Sequence, residues 1–315
     1  MKIIIDSDMN FPSDDFQAIL LLCACRNTQV LAVGAAAGNT WSEEVAIHLL
    51  SISELLECDG RNPKIGRGLA ALYWRERHEW AVRQHERGIV PFIGAHGKHS
   101  SPRIDEQQCS QLEGLPHAVT VYVDLLEQSR EYIEFVCLGP LSNIAQLLSR
   151  RPDLRSRIGR ITVMGGYFGD GALPPARADF NFWFDANSAH EVLSSGVPLR
   201  LVPLDTCRQA RCTAQLLDAL QCIPDGRAEK FVMDFMGMAK QHGPSMALCD
   251  QLTALTVLDP GIVTETKTVG VSVANCLDDR LGYSHIHNGT PTVELVQSVN
   301  VARFHEAIVE RVRAL

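Results

Sequence analysis

The chain begins with an apolar run that ends in carboxylates, Ile3-Ile4-Ile5-Asp6-Ser7-Asp8-Met9-Asn10-Phe11-Pro12-Ser13-Asp14-Asp15. Side chains alternate along a strand, which puts Asp6 and Asp8 on one face. Asp14 and Asp15 then open the next helix. No Lys or Arg stands between Lys2 and Arg26 to neutralise them. Massing carboxylates in a partly buried crevice is costly without a counter-charge. A helix N-terminus offsets one of them by only about 0.3–1 kcal/mol. The chemistry such a cluster suits is binding of a hard, oxygen-ligated cation, Ca²⁺ or Mg²⁺. The plainer reading, in which Asp14 and Asp15 cap the helix and Asp6 and Asp8 are solvated, leaves four charges uncompensated.

Five further segments carry polar residues. They are Gly38-Asn39-Thr40, Leu138-Gly139-Pro140-Leu141-Ser142-Asn143, Val163-Met164-Gly165-Gly166, Asp179-Phe180-Asn181-Phe182-Trp183-Phe184-Asp185, and Leu248-Cys249-Asp250-Gln251. Each alone has a plain reading. Gly139-Pro140 is a turn, Ser142, Asn39 and Asp250 are helix caps, and Gly165-Gly166 allows close backbone packing. The signal lies in their order, and in most of them following a strand. An apolar strand ending in Asp-x-Asp also suits a haloacid dehalogenase-type phosphatase, with Asp6 as nucleophile and Asp8 as acid/base. That pattern expects Thr or Val where Asn10 stands and leaves Asp14 and Asp15 without a role.

The elements that must position these residues are legible as short apolar runs alternating with amphipathic stretches. Residues 2–5, 30–36, 132–138, 161–164 and 199–204 read as strands, several continuously apolar as in parallel sheets covered on both faces. Residues 14–26, 42–56, 118–129, 143–149 and 186–195 have helical spacing, and Gly196 before Val197-Pro198 is a helix stop. Beyond residue 205 come a helical region at 228–241, strands at 266–274 and 292–298, and a last helix at 301–313. Residues 98–117 and 169–179 read as long loops and 224–227 as a turn. The pattern implies a doubly wound α/β fold, a mainly parallel sheet with helices on both faces. Its ligand lies at the carboxyl ends of the strands. With no repeat or linker, residues 1–315 are expected to form a single domain.

Composition narrows the function. An apolar fraction of 46% supports a sizeable core, and aromatics at 6% offer no stacking platform. Lys and Arg total 29 against 37 acidic residues, a net charge of −8, so no basic field exists to hold a nucleic-acid polymer. No apolar run approaches the roughly 18 residues of a membrane span. The opening MKIII shows no signal-peptide pattern. Ten cysteines without zinc-ligand spacing read as buried thiols. A cytoplasmic protein acting on a small molecule is expected.

The ordered set resembles the inosine–uridine-preferring nucleoside hydrolase family over nearly the whole chain. It is most specific through Val163–Gly166, Asp179–Asp185, Gly196–Leu199 and Leu204-Asp205. The resemblance implies Ca²⁺ held by Asp8, Asp15, Asp250 and the backbone carbonyl of Ser142, with the ribose diol completing its shell. It implies ribose contacts from Asp14, Asn39, Met164, Asp179 and Asn181, and places His96 near the base. It also implies a homodimer or homotetramer acting on a nucleoside. Cleaving an N-ribosidic bond develops oxocarbenium character, which surrounding carboxylates stabilise. Asp8 is the expected general base for the attacking water.

The chain departs from the family pattern at several points. Two extra residues separate Asp8 from Asp14, and Pro12 stands where a related branch has an acid. Asp179 replaces the usual Glu, and Gln251 a common Pro. Cys249 occupies the position of a histidine that protonates the leaving group in many members. The donor then comes from Cys249, His242, Tyr167 or the aromatic- and His-rich stretch 73–85. Base recognition falls to residues 73–101 and 228–248. The rival function is a non-catalytic nucleoside- or ribose-binding relative that keeps the cradle without the acid.

Overall fold

The computed structural model describes residues 1–10, 13–25, 27–57, 62–69, 75–98, 102–169, 178–223, 226–243, 245–290 and 292–315. Among the described residues nine strands form one sheet: β1 (Lys2–Ser7), β2 (Gln29–Ala35), β3 (Lys64–Gly66), β4 (Ile133–Cys137), β5 (Ile158–Met164), β6 (Leu199–Val202), β7 (Val263–Val273), β8 (Ser284–His287) and β9 (Val293–Val299). Their order is β3-β2-β1-β4-β5-β6-β9-β7-β8. β1 pairs in parallel with both β2 and β4, and parallel pairing continues through β5 and β6 to β9. β7 runs antiparallel to β9 and to β8. The doubly wound, mainly parallel sheet expected from the sequence is therefore present.

The isoleucines of β1 show why the sheet is covered on both sides. Ile3 and Ile5 belong to one apolar cluster, with Phe16 and Leu252, and Ile4 to the other, with Tyr122 and Phe135. A strand buried on both faces cannot alternate apolar with polar residues. Because the chain winds from β1 outward through β2 and β3, then returns to β4, a crevice opens between the carboxyl ends of β1 and β4. Asp6 is the penultimate residue of β1, and Asp8 lies just past its end.

Several local expectations need correction. Residues 98–117 are not one loop: a helix runs Glu106–Glu113, closed by a capping box in which Asp105 accepts from the Gln108 amide and Gln108 accepts from the Asp105 amide. Helices at Arg75–Glu86 and Ala214–Gln221, and strands β3 and β8, lie where no element was expected. Ser142 is the first helical residue of Ser142–Arg150 rather than its cap, which is Leu141. Asn39 does not cap Ser42–Ser51, whose cap position is Trp41. The cysteines are free thiols among the described residues, but Cys109, Cys222 and Cys276 are exposed, not buried. Of the expected loop at 169–179 and turn at 224–227, residues 170–177 and 224–225 lie outside the described residues.

Candidate active site

Three helix N-termini each bring a residue singled out in the sequence. The helix Asp14–Cys23 is capped by Ser13, whose hydroxyl accepts from the Phe16 amide, and its first turn carries Asp14 and Asp15. The helix Cys249–Leu258 carries Asp250 in its first turn, and Ser142 starts the third. The positive ends of these helices favour negative charge beside them.

Asp14, Asp15 and Asp250 each offer a carboxylate oxygen, and the three oxygens lie within 4.8 Å of one another. Asp8 stands beside them, its carboxyl raised well above the usual range by burial, then by the charges of Asp15 and Asp14. Burial likewise raises Asp250, with Asp14 and Asp15 adding to it. Asp15 is pushed up to about 7 by burial and by Asp14. Ser7 donates to Asp15 Oδ1 at 2.6 Å, while the buried Oδ2 has no hydrogen-bond partner. An orphaned carboxylate oxygen among three other carboxyls fits a divalent cation bound through oxygen.

Asp8 is held by backbone. The Asn39 amide donates to its Oδ2 at 2.7 Å. A β-carbon at Gly38 would collide with the same oxygen, and one at Gly139 would stand 2.6 Å from Oδ1. Both glycines are required by this close approach. The turn that starts at Gly139 thus packs directly against Asp8.

Asp6 is not part of the cluster, although it precedes Asp8 by two residues. Its Oδ2 accepts from the Tyr122 hydroxyl at 2.5 Å and from Asn143 Nδ2 at 3.0 Å. Burial raises it to about 7, against the lowering effect of those bonds. Asn143 also donates to the Ala35 carbonyl and accepts from the Leu69 amide, so it joins β2, β1 and the turn after β4. Neither Tyr122 nor Asn143 stood out as a site residue. The only hint was that Asn143 ends the Gly-Pro-Leu-Ser-Asn segment.

On the other side, Asn181 Nδ2 donates to the Leu138 carbonyl at 2.7 Å and to the carbonyl of Met164, the last residue of β5. Asp179 caps the short helix Phe180–Phe184, accepting from the amides of Phe182, Asn181 and Gly166. Burial lifts it to about 6. Its shorter side chain is therefore engaged with backbone, and it supports Asn181. Ser142 Oγ donates to Asp185 Oδ2 at 2.5 Å, which turns its hydroxyl toward the Asp185 side.

The four candidates for the base side differ. Cys249 lies against Cys207, and that contact, burial, and the charges of Asp14 and Asp179 hold its thiol well above the ordinary range. His242, exposed at the end of the helix Arg227–His242, stands close enough for its charge to lower Asp14. His96 is buried, stacked on Phe184 with ring centres 5.0 Å apart and meeting His78 at 3.3 Å. Burial, Arg77 and His78 press it down to about 3, so it is neutral at pH 7. Its helix, Ala95–Lys98, is tied to the site because the Ala95 amide donates to the Gly38 carbonyl. Tyr167 is buried beneath the Arg208 guanidinium, 5.5 Å from its ring centre. Of the stretch 73–85, residues 73–74 lie outside the described residues, as does Pro12 in the loop after Asp8.

A hydrolytic α/β enzyme, with an acidic cradle at the switch point of its sheet, is the class that this fold and site define. The chain belongs to the inosine-uridine preferring nucleoside hydrolase family, whose model matches residues 3–306. It is 27% identical to the pyrimidine-specific ribonucleoside hydrolase RihA of Klebsiella pneumoniae, over 99% of this chain and 98% of that one. In structure it is similar to an inosine-guanosine nucleoside hydrolase (TM-score 0.78, 20% identity, 99% and 98% of the two chains). It is also similar to a purine-preferring ribonucleoside hydrolase from Gardnerella vaginalis (TM-score 0.75, 22% identity, 99% and 98%). At those identities the structural likenesses speak for the fold. The chain is an enzyme that hydrolyses N-ribosides, and neither the phosphatase nor the non-catalytic reading is retained. Among the described residues no helix is long and apolar enough to cross a membrane.

Proposed function

We propose that the protein hydrolyses the N-glycosidic bond of a ribonucleoside to ribose and free base in a calcium-dependent reaction. The observation that carries this reading is the convergence of Asp14, Asp15 and Asp250 within 4.8 Å beside Asp8, with an orphaned oxygen on Asp15. Asp8, Asp15, Asp250 and the Ser142 carbonyl would hold the ion. When bound, it supplies charge to offset the carboxylates, orients the ribose diol and acidifies a water.

Asp8 takes the proton of the attacking water, a role that its fixed carboxylate supports. Asp14 and Asn39 face the sugar from the β1–β2 side. Met164 and Asn181 face it from the β5 side, with Asp179 holding Asn181 in place. As the bond to the base breaks, positive charge grows on the ribose, and the carboxylates around it lower that barrier. His242 protonates the departing base. That histidine stands near enough to Asp14 to lower its carboxyl, whereas His96 is held neutral at pH 7 by burial, Arg77 and His78, and the Cys249 thiol is held well above its ordinary range.

Both purine and pyrimidine nucleosides belong in the assay, since the relatives' names divide between them. Release of base is expected to cease on chelation and to return with Ca²⁺. Asp8→Ala is expected to lower kcat by about 10²–10⁴-fold. Turnover that survives both chelation and Asp8→Ala would remove this mechanism. The same reading expects a homodimer or homotetramer, which sedimentation would measure.

A further inference from the structure

The site has a buried polar brace that the hydrolytic mechanism does not use. Gln251 Nε2 donates to Gln17 Oε1 at 2.6 Å, and Gln17 Nε2 donates to Asp234 Oδ2 at 2.7 Å. All three side chains are buried: Gln17 and Gln251 are fully enclosed, and Asp234 is 5% exposed. Three polar side chains in an apolar interior are costly unless bonded, and these bond one another while leaving Asp234 Oδ1 and Gln251 Oε1 without a hydrogen-bond partner.

Their positions are informative. Gln17 lies one helical turn after Asp14, and Gln251 directly follows Asp250. Asp234 belongs to a third element, the helix Arg227–His242, whose final residue is the one that reaches Asp14. The brace thus joins the two helices that carry the acidic cluster to the helix that carries the base-side histidine. Phe231 and Phe235 of that helix are fully buried and stacked on each other, with ring centres 5.9 Å apart. Apolar packing of this kind holds the helix down, and the directional hydrogen bond from Gln17 adds a constraint on its rotation and register.

A carboxylate only accepts hydrogen bonds, so Asp234 also sets the orientation of both amides. Gln17 must turn its NH₂ toward Asp234 and its carbonyl toward Gln251.

We propose that Asp234 is a positioning residue for the nucleoside. Through Gln17 and Gln251 it fixes how the helix Arg227–His242 stands over the acidic cluster, and so where the base side of the pocket lies relative to the ribose side. The inference rests on the nucleoside reading for its kinetic arm only.

Asp234→Ala and Asp234→Asn separate this from a general role in folding. Asn keeps an acceptor for Gln17 and should stay within about threefold of the parent, while Ala should raise KM for the best nucleoside about tenfold. In the Ala variant kcat should change less than KM, and calcium affinity by calorimetry should be unchanged. Backbone amides of residues 227–242 should exchange faster with solvent in Asp234→Ala and not in Asp234→Asn. An unchanged KM together with unchanged exchange in the Ala variant would overturn the proposal. So would equal losses in Ala and Asn. If the parent protein cleaves no nucleoside, the nucleoside reading fails, and hydrogen exchange still decides the role of Asp234.

Discussion

At the scale of single residues, Asp6 and Asp8 show how far sequence spacing reaches. Period-two alternation grouped them, but β1 ends at Ser7, and beyond it the chain no longer alternates. Asp6 turns into the apolar layer, where Tyr122 and Asn143 receive it, while Asp8 enters the crevice between two glycines. The carboxylate cluster was legible because charge without counter-charge is visible in any sequence. Its internal division was not, because Tyr122 and Asn143 arrive from distant segments. The glycines permit a sharp test. In Gly38→Ala the new methyl would collide with Asp8 Oδ2 and crowd Pro140. Turnover should fall at least about tenfold, because misplacing a catalytic group by an ångström is that costly. The melting temperature should fall as well, because the methyl must displace buried atoms. Full activity in this variant would mean that Asp8 is not held as described.

At the scale of elements, long apolar segments were readable and short polar ones were not. β1, β2, β4 and β5 appear within a few residues of their expected places because burial on both faces demands apolar runs. β3 has only three residues, and the helix Arg75–Glu86 is too polar for its periodicity to stand out. The helix Glu106–Glu113 could have been found from Asp105 and Gln108 at capping-box spacing. Asp105→Ala should cost about 0.5–2 kcal/mol in denaturant unfolding and leave turnover intact, since that cap is exposed. Asp179→Ala tests the opposite case. Its cap supports Asn181, so KM should rise several-fold alongside the lost stability. A normal KM would show that the Phe180–Phe184 helix holds Asn181 without it.

At the scale of the molecule, the acidic crevice ties stability to pH and, on the proposed function, to calcium. Asp6 and Asp15 are raised in the fold to about 7 from an ordinary 3.8. For an acid shifted upward, folding favours the protonated form. The associated stability is present below pH 3.8 and is lost as pH rises through about 7. The chelated protein should therefore become less heat-stable between those limits. A cation reverses the preference at Asp15 by favouring the ionised form. The gain in melting temperature on adding Ca²⁺ should accordingly be larger at pH 8 than at pH 5. An equal gain at both would show that the carboxylates do not discharge protons on binding.

The cradle is assembled from both ends of the chain, with Asp8 and Asp15 near the start and Asp250 in a helix that precedes the last strands. During synthesis the early carboxylates emerge long before their third arm. β9 must still seat between β6 and β7 after Asp250 has emerged. Contacts of such long sequence separation form late. On the proposed calcium-dependent reading, the ion cannot reward a half-made chain. Its capture would mark completion, so a nascent polypeptide halted before Asp250 should leave the ribosome without the means to retain calcium.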